Sequence, residues 1–542
     1  MPSKQEQQPD FDFVVVGGGS SGCIVAAELA RRTSLRVLLL ECGPRAEANP
    51  ETLAADGYKD AFANDEVIWE RFSEPQRQCG GQRLFMGTGT GMGGSGSVNG
   101  MVYTRGARED FAEWPEGWKW EDVQEDFEAV EARLLVRSRQ ENAFNEACIV
   151  AAEEVGFRRS KNLNDGDMSG VLGYNAMNYQ GASRRSSYVA FIRDDKPETL
   201  TVCSGARAHK VLLVGKRAVG VEYRVGDGAL QTVRATREVV LCAGALESPK
   251  LLMLSGIGPT HELQAQGIDV VHALAEVGQN LHDHPNVTVF FRGKKEVDCN
   301  YPQLYGFHRA NSGSNLPKGQ SDTCYVFYPA RSSLREAMLR LVPSIVLPHW
   351  LYGVPGLRAL VRAGIRLAFC SALLRRQVAR IYGIVLILGK PKSRGSIGLV
   401  SARVEDQARL DPAYFSDPED LETMVLAVEK ARAIARAEGL RAWGNRELMP
   451  GRRKQRSSDL RRWIENNAMT TYHFAGTCRM HDSAGVVDPE LRVRGIERLR
   501  VADASVIPTT PVSALNAPSM MIAYRAARWM VEDLRRAIDP QD

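Results

Sequence analysis

A short strand that ends in a run of glycines and leads directly into a helix constrains this chain more than any other feature. Phe11–Val16 is apolar and β-branched, GGGSSG follows it, and the next residues, CIVAAELARR, are small and helix-forming. Gly17, Gly19 and Gly22 occupy the three positions of a GxGxxG turn, where the lack of a side chain allows the turn, the approach of a pyrophosphate, and the packing of helix on strand. Free N–H groups at the start of the helix predict a phosphate-binding site.

An acidic residue stands where such a unit needs one. A second strand is predicted over Arg36–Leu40, and it delivers Glu41 nineteen residues after Gly22. An acid at this position hydrogen-bonds an adenosine ribose, and its charge disfavours a 2′-phosphate. The pattern predicts a dinucleotide site, and both NAD and FAD satisfy it.

Three further stretches are unusual for a globular chain. Residues 86–100 contain seven glycines in fifteen positions, which predicts a loop held against a flat ligand. Residues 244–258, GALESPKLLMLSGIG, follow a buried strand predicted over Val239–Ala243, and the third stretch spans residues 472–527.

Together these stretches resemble the glucose-methanol-choline (GMC) oxidoreductases, FAD-dependent enzymes that oxidise alcohols. The segment 244–258 matches that family's second signature, and residues 277–285, VGQNLHDHP, match another family motif. RRS at 184–186 and PKSRG at 391–395 are similar to two lesser landmarks. The resemblance extends essentially end to end.

The resemblance implies an FAD site built from separated residues. The adenosine is expected on Gly17, Gly19, Gly22, Glu41 and the segment near Ala208; the flavin and pyrophosphate on Gly93, Gly94, Asn99 and Gly100; the ribityl region on Asp503 and Ala504; and the pyrimidine edge on Asn516, Ala517, Pro518 and Ser519. Val98 occupies the position where some members carry a histidine bonded to FAD, so we expect non-covalent FAD.

Two residues are expected to carry the chemistry. His473, in a segment that fits the family's HxxGTCRM pattern, is the general base, since a neutral imidazole accepts a proton at pH 7. Asn516 takes the second catalytic position and orients the substrate oxygen with its amide. The expected reaction is oxidation of a primary alcohol to an aldehyde by hydride transfer to flavin N5, with oxygen, a quinone or another acceptor taking the electrons.

Two other functions remain open. A branch of the same family decarboxylates fatty acids under light, and the apolar region 341–369 would suit such a substrate. A non-catalytic flavoprotein scaffold or lipid-surface binder is the other alternative.

The predicted fold class is α/β. At least two structural units are expected, because 542 residues exceed what one hydrophobic core usually organises. The resemblance implies a discontinuous Rossmann-type FAD-binding domain plus a substrate domain with an antiparallel sheet and helices. The FAD-binding domain is expected from residues 1–160, 200–290 and 485–542. The substrate domain is expected from residues 161–199 and 291–484.

Composition narrows the partners and the location. The net charge of +4 argues against nucleic-acid binding, and ten scattered cysteines without a CxxC motif predict reduced thiols and a cytoplasmic location. The polar start, MPSKQEQQPD, lacks a secretory apolar region. His282-Asp283-His284 resembles a metal clip, but we expect it to steady a turn, and no metal is predicted.

A basic, apolar segment falls outside the resemblance. Residues 335–380 hold eight arginines and one acid, and Arg358, Arg362 and Arg366 share one face of a predicted helix. The apolar face comprises Leu357, Leu360, Val361, Ile365, Ala368 and Phe369. Either the helix covers the substrate domain with its arginines in water, or it contacts a membrane or admits a hydrophobic substrate, which would make the protein peripheral on the inner membrane face.

Overall fold

A mixed sheet of seven strands carries the glycine-rich turn. The computed structural model describes residues 10–538, so the prediction made from the first ten residues lies almost wholly outside it. In spatial order the strands are Leu200–Ser204, Val37–Glu41, Phe11–Val16, Leu230–Leu241, Arg217–Val225 and Ala206–Val214, with Leu499–Val501 also paired to Leu230–Leu241. The first four strands and Leu499–Val501 pair in parallel. This arrangement confirms the predicted strand, turn and helix unit.

One long strand joins two kinds of ladder within this sheet. Residues 235–241 of Leu230–Leu241 run parallel to Phe11–Val16, whereas residues 230–234 pair antiparallel with Arg217–Val225. Val240 and Leu241 lie at the end of this strand that pairs with Phe11–Val16. Both are completely buried, as expected where a sheet is covered on both faces.

The first and last parts of the chain pack together. The helix Ser20–Arg32 lies against the final helix, Asn516–Ile538. Ser21 Oγ donates a hydrogen bond to the carbonyl of Ser519 at 3.2 Å. Small residues on the first helix, such as Ala26 and Ala27, allow this close approach.

The second unit is built on an eight-stranded sheet that is antiparallel except at one edge. In order its strands are Arg446–Met449, Pro285–Arg292, Ile381–Leu388, Thr323–Pro329, Leu304–His308, Val171–Tyr174 and Arg158–Arg159, with Met469–Thr470 paired to Pro285–Arg292. A smaller sheet joins Val102–Tyr103, Val136–Ser138, Ala176–Gln180 and Ser183–Arg184. The α/β class with an antiparallel second sheet is therefore confirmed.

Helices cover both sheets. Besides Ser20–Arg32 and Asn516–Ile538, the longer ones outside the segment 330–378 are Tyr58–Ala63, Trp120–Leu134, Ala143–Glu153, Gly244–Leu254, Thr260–Ala265, Pro418–Arg436 and Ser457–Asn467.

Two predicted domain boundaries fall within elements of the second unit, and the division into domains stays a prediction. The boundary at 290 divides the strand Pro285–Arg292, which belongs wholly to the second sheet. The helix Ala143–Glu153 falls within the segment 1–160 that is predicted for the FAD-binding domain. It places Phe144 and Cys148 in the core beneath the second sheet. Periodicity gives the buried face of a helix but not the core that it joins, so these boundaries could not be found from pattern alone.

Four helices form what we call the helical cap: Ala330–Val346, His349–Tyr352, Leu357–Cys370 and Ala372–Val378. Residues 341–357, which contain no Asp, Glu, Lys or Arg, are divided among three of these helices. No helix within residues 10–538 has the length and apolar character to cross a bilayer.

The cap corrects the predicted orientation of the helix Leu357–Cys370. Arg358 pairs with Glu70 at 2.8 Å and Arg362 with Asp65 at 2.7 Å, so these arginines face the protein rather than water. Of the predicted apolar face, Ile365 is buried but Leu360 and Ala368 are exposed. The acidic partners lie nearly 300 residues earlier in the chain. The helix pattern alone therefore did not indicate that these arginines face the protein.

Candidate active site

A cavity of about 520 Å³ lies between the two sheets and contains most of the predicted site residues. Its volume is within the range of cofactor and ligand pockets. The predicted residues that line it are Gly17, Gly19, Glu41, Gly94, Asn99, Gly100, Ala208, His473, Asp503, Ala504, Asn516 and Ser519. Gly22, Gly93, Ala517 and Pro518 lie outside the lining.

The two glycines outside the lining, Gly22 and Gly93, lie behind the residues that form the cavity wall. A Cβ on Gly22 would lie 1.8 Å from the carbonyl oxygen of Gly17, so only glycine lets the helix pack on the turn. Gly93 has φ +88° and donates its N–H to the carbonyl of Gly18 at 2.7 Å. Both residues therefore shape the turn without facing the cavity.

The two glycine-rich segments touch each other at the cavity wall. A Cβ on Gly94, where φ is +51°, would lie 2.8 Å from the Cα of Gly19. The wall here is bare backbone, which allows a phosphate to approach N–H groups at the start of the helix Ser20–Arg32. The loop prediction for residues 86–100 is refined by a short strand, Thr88–Gly89, and a short helix, Ser95–Val98.

Three backbone N–H groups donate hydrogen bonds to the carboxylate of Glu41. Its Oε2 accepts from the N–H of Gly18 at 2.7 Å, and Oε1 accepts from the N–H groups of Gly43 at 2.7 Å and Gly91 at 3.0 Å. A carboxylate has about four acceptor sites, so one remains for a ribose hydroxyl. Glu41 thus also ties the glycine-rich loop to the first turn.

Asp503 occupies a similar position at the start of the helix Gly244–Leu254. Its Oδ2 accepts from the N–H of Gly244 at 2.8 Å and from Ser248 Oγ at 2.6 Å. Burial raises the pKa of Asp503. The side chain fixes the second signature segment against the third.

Arg184, one of the lesser landmarks, anchors the loop end. It is fully buried and donates to the carbonyl of Asn99 at 2.6 Å and to its side-chain oxygen at 2.8 Å. Burial lowers the pKa of Arg184 to about 9. Asn99 is therefore immobilised where it meets the cavity.

His473 lies half-buried at the cavity wall. Its backbone N–H donates to Asp283 Oδ1 at 2.6 Å, and Asp283 also accepts from the hydroxyls of Tyr414 and Thr470. Burial lowers the pKa of His473 to about 4, so the imidazole is neutral at pH 7. The preceding residue, Tyr472, holds a left-handed backbone with φ +62°, a conformation that clusters at functional sites.

His284 is a functional candidate that the sequence prediction missed. Its Nδ1 lies 2.9 Å from Nδ1 of His473, and the two rings meet edge to face. Asp283 and His284, expected only to steady a turn, thus hold the backbone and the ring of His473. Within residues 10–538 no group of three or more His, Cys, Asp or Glu side chains is arranged to hold a metal.

Asn516 lies at the start of the final helix, where its side-chain oxygen accepts from Ser20 Oγ at 2.7 Å. Since the oxygen is used, the amide NH₂ is the group left to donate toward a substrate. Ser20 had not been singled out in the sequence.

The remaining walls differ at the two ends of the cavity. Near His473 they are mostly apolar, from Tyr58, Phe62, Tyr305, Ile387, Tyr472 and Val512. The opposite end carries Trp69, Arg71, Glu247 and Lys250, with Arg71 paired to Glu247 at 2.9 Å. Tyr58, Phe62, Trp69 and Arg71 come from segments without a motif, so sequence patterns gave no signal for them. Glu247 and Lys250 lie within the predicted segment 244–258.

The residues present fit an FAD molecule. Bare backbone at Gly17, Gly19 and Gly94 leaves room for a pyrophosphate, Glu41 retains one acceptor site, and the lining residue Ser513 has a buried hydroxyl without a partner in the described part of the chain. An extended cofactor would place its adenosine near Glu41 and its reactive ring near His473.

Comparison with known proteins agrees with this arrangement. Residues 11–286 and 391–523 match the two GMC oxidoreductase domains, leaving residues 287–390 between the matches. An alcohol dehydrogenase [acceptor] of Pseudomonas putida is 32% identical, with 97% of each chain covered. A chloroplastic fatty acid photodecarboxylase of Chlamydomonas reinhardtii is 32% identical over 95% of this chain and 90% of its own length.

A solved structure extends the match to three dimensions. Pyridoxine 4-oxidase from Mesorbium loti superposes with a TM-score of 0.81 at 26% identity, covering 96% of this chain and 99% of its own. The chain therefore belongs to the GMC oxidoreductase family and is an FAD-dependent oxidoreductase that acts on alcohol groups.

Proposed function

We propose that the chain oxidises a primary alcohol to the corresponding aldehyde. The observation that carries this proposal is a neutral histidine, His473, at the wall of an apolar cavity that fits FAD. A base that is already deprotonated can accept the hydroxyl proton, and an apolar wall suits the carbon chain of the alcohol.

Each residue has a separate task in the proposed reaction. His473 accepts the hydroxyl proton at Nε2, because its Nδ1 is engaged with His284. The NH₂ of Asn516 donates to the substrate oxygen and holds the carbinol carbon in place. Bound FAD supplies the hydride acceptor.

His284 acts as a positioning residue in this proposal. One of the two facing Nδ1 atoms must carry the proton that they share. We assign this proton to Nδ1 of His473, so that Nδ1 of His284 accepts it and the His284 ring carries its own proton on Nε2. This tautomer leaves a lone pair on Nε2 of His473, where the substrate proton is accepted.

The cofactor and its acceptor belong to the same proposal. Val98 lines the cavity and cannot form a bond to the flavin, so FAD is expected to dissociate on acid precipitation. The electron acceptor is oxygen, a quinone or another small molecule. We propose a cytoplasmic location, with peripheral contact to the inner membrane face through residues 335–380.

Anaerobic reduction of the flavin by a panel of alcohols tests the main proposal. Aliphatic, aromatic and amino alcohols are added to the holoenzyme, the flavin absorbance is followed, and air is then admitted. Bleaching by a primary alcohol with release of its aldehyde is expected, and reoxidation by air would identify oxygen as the acceptor. Absence of bleaching with every alcohol would contradict the proposal.

Light-driven decarboxylation of a fatty acid is a second candidate. The photodecarboxylase relative and the apolar cavity wall support it. Blue light without an electron acceptor separates the two candidates, since release of a hydrocarbon from a fatty acid would favour decarboxylation. The first candidate instead predicts bleaching by an alcohol in the dark.

A further inference from the structure

The helical cap presents an apolar outer surface that the alcohol chemistry does not use. The exposed fractions are 75% for Ile345, 76% for Trp350, 70% for Leu360, 74% for Leu367 and 69% for Leu373. Single exposed apolar residues are ordinary, but five large ones on neighbouring helices form a patch of the kind that marks an interaction site. The cap also lies in the stretch between the two family matches.

The inner face of the cap fixes which side points outward. Arg340 is fully buried, pairs with Asp65 at 2.7 Å, and donates to the carbonyl of Phe62 at 2.8 Å. Arg358 and Arg362 pair with Glu70 and Asp65 on the same side. Three arginines therefore bind the cap to the protein, while the leucines are directed away from it.

The charges around the patch select its partner. Arg366, Arg375 and Arg376 are exposed, and none pairs with a carboxylate within residues 10–538. A second copy of the chain on this patch would bring like charges together. Exposed leucines and a tryptophan beside unpaired arginines are typical of helices that lie in the interface of an anionic bilayer.

The helical cap, which carries this patch on its outer surface, lies next to the cavity that contains His473. The cap helix Ala330–Val346 packs against Tyr58–Ala63, which supplies Tyr58 and Phe62 to the cavity wall. The ring centroids of Tyr352 and Phe72 lie 5.2 Å apart. The ring of Phe85 contacts both Phe72 and Tyr472, and Tyr472 lies at the cavity wall. A series of contacting aromatic rings thus connects the cap to the cavity wall at Tyr472.

We infer that the helical cap docks on the surface of an anionic lipid bilayer, with its leucines and Trp350 among the acyl chains and Arg366, Arg375 and Arg376 at lipid phosphates. Delivery of an apolar alcohol from the bilayer to His473 follows from this docking, and that second step rests on the proposed function.

Co-sedimentation with vesicles tests the docking. Vesicles of phosphatidylcholine, with and without phosphatidylglycerol, are mixed with the holoenzyme at low salt. Binding to the anionic vesicles is expected, and the double variant Arg366→Glu/Arg376→Glu is expected to bind at least about tenfold more weakly, since each basic residue near such a surface contributes about fivefold. The triple variant Leu360→Gln/Leu367→Gln/Leu373→Gln is also expected to lose binding.

A matched control has the same change of charge elsewhere. Arg452 and Arg453 are exposed on a loop outside the cap, so Arg452→Glu/Arg453→Glu is expected to bind as the wild type does. Cys370 is the one exposed cysteine in the described part of the chain, and a polarity-sensitive dye attached there is expected to shift to the blue with anionic vesicles.

Three outcomes would overturn the inference: no wild-type binding to anionic vesicles, equal binding by the leucine variant, or a dimer in sedimentation analysis that only the leucine variant abolishes. Oxidation of a short, water-soluble alcohol is measured on every variant. Loss of vesicle binding with intact oxidation, or the reverse, separates failure of the docking from failure of the proposed function.

Discussion

The proposed role of His473 as a base sets two requirements for its imidazole. A base must be neutral to accept a proton, yet it must lie in an apolar cavity beside the substrate. Burial meets both requirements, because it disfavours the imidazolium and lowers the pKa of His473 to about 4. Asp283 holds the backbone of this residue and His284 holds its ring, so the imidazole has a defined position.

Replacing His473 by alanine removes the proton acceptor. We expect turnover to fall by at least about two orders of magnitude, the usual contribution of a general base, while FAD stays bound. Stopped-flow reduction of the flavin and the ratio of flavin to protein absorbance measure the two properties. His261→Ala, at a highly exposed histidine, is the control. Turnover close to that of the wild type would remove His473 from its role.

The pH dependence of kcat/KM follows from the lowered pKa of His473. Only the neutral imidazole is active, so the rate is constant at neutral pH and falls as the pH drops through about 4 rather than through the ordinary value near 6.5. Initial rates below pH 7 with an alcohol that does not titrate give the profile. An acid limb centred near pH 6.5 would contradict this expectation.

His284→Leu tests the positioning role. Without a partner at Nδ1, His473 is free to change tautomer, and we expect kcat to fall by about one order of magnitude with little change in FAD content. His284→Asn, whose side-chain oxygen can accept from Nδ1, is expected to restore part of the rate. Equal rates for the two variants would indicate that His284 only fills space.

At the scale of elements, the dinucleotide unit depends on one contact between backbone atoms. Gly22→Ala would place a methyl group 1.8 Å from the carbonyl oxygen of Gly17, which lies on the turn and cannot swing away. We expect the variant to lose most of its FAD, measured as flavin per protein after gel filtration.

Gly364→Ala is the control for this substitution. Gly364 lies in the cap helix Leu357–Cys370, and a Cβ there meets nothing within 4 Å. Alanine also favours a helix more than glycine does, so this variant should keep its FAD and its fold. Full FAD content in Gly22→Ala would show that the close contact is not required.

The elements that could be predicted from the sequence are those specified by local patterns. The strand Phe11–Val16 and the helix after it follow from spacing and turn chemistry. The pair His284–His473 spans 189 residues, and no local pattern reports such a contact. The inward arginines of the cap escaped prediction for the same reason.

On the scale of the whole molecule, buried histidines link stability to pH. Burial lowers the pKa of His308 to about 4, whereas a histidine in the unfolded chain titrates near about 6.5. Below that value the unfolded chain binds a proton that the folded chain excludes, so His308 reduces stability as the pH falls from about 6.5 to about 4, by up to about 1.4 kcal/mol per pH unit.

His308→Gln should lessen this acid sensitivity. Urea denaturation at several pH values is expected to give a free energy of unfolding that falls less steeply below pH 6.5 than in the wild type. The comparison of slopes isolates His308 from the other buried groups, including Asp283, whose raised pKa acts in the opposite direction at low pH. Identical slopes would mean that His308 titrates normally in the folded protein.

The pairing of the first and last helices sets the order of events during synthesis. Ser20 and Asn516, hydrogen-bonded at the cavity, are 496 residues apart, and Leu499–Val501 joins the sheet near the same end. A ribosome must therefore translate a further 496 residues after Ser20 before the cofactor cradle can close. Until then the nascent glycine turn is open on one side, so FAD acquires its full set of contacts only after Asn516 has been synthesised.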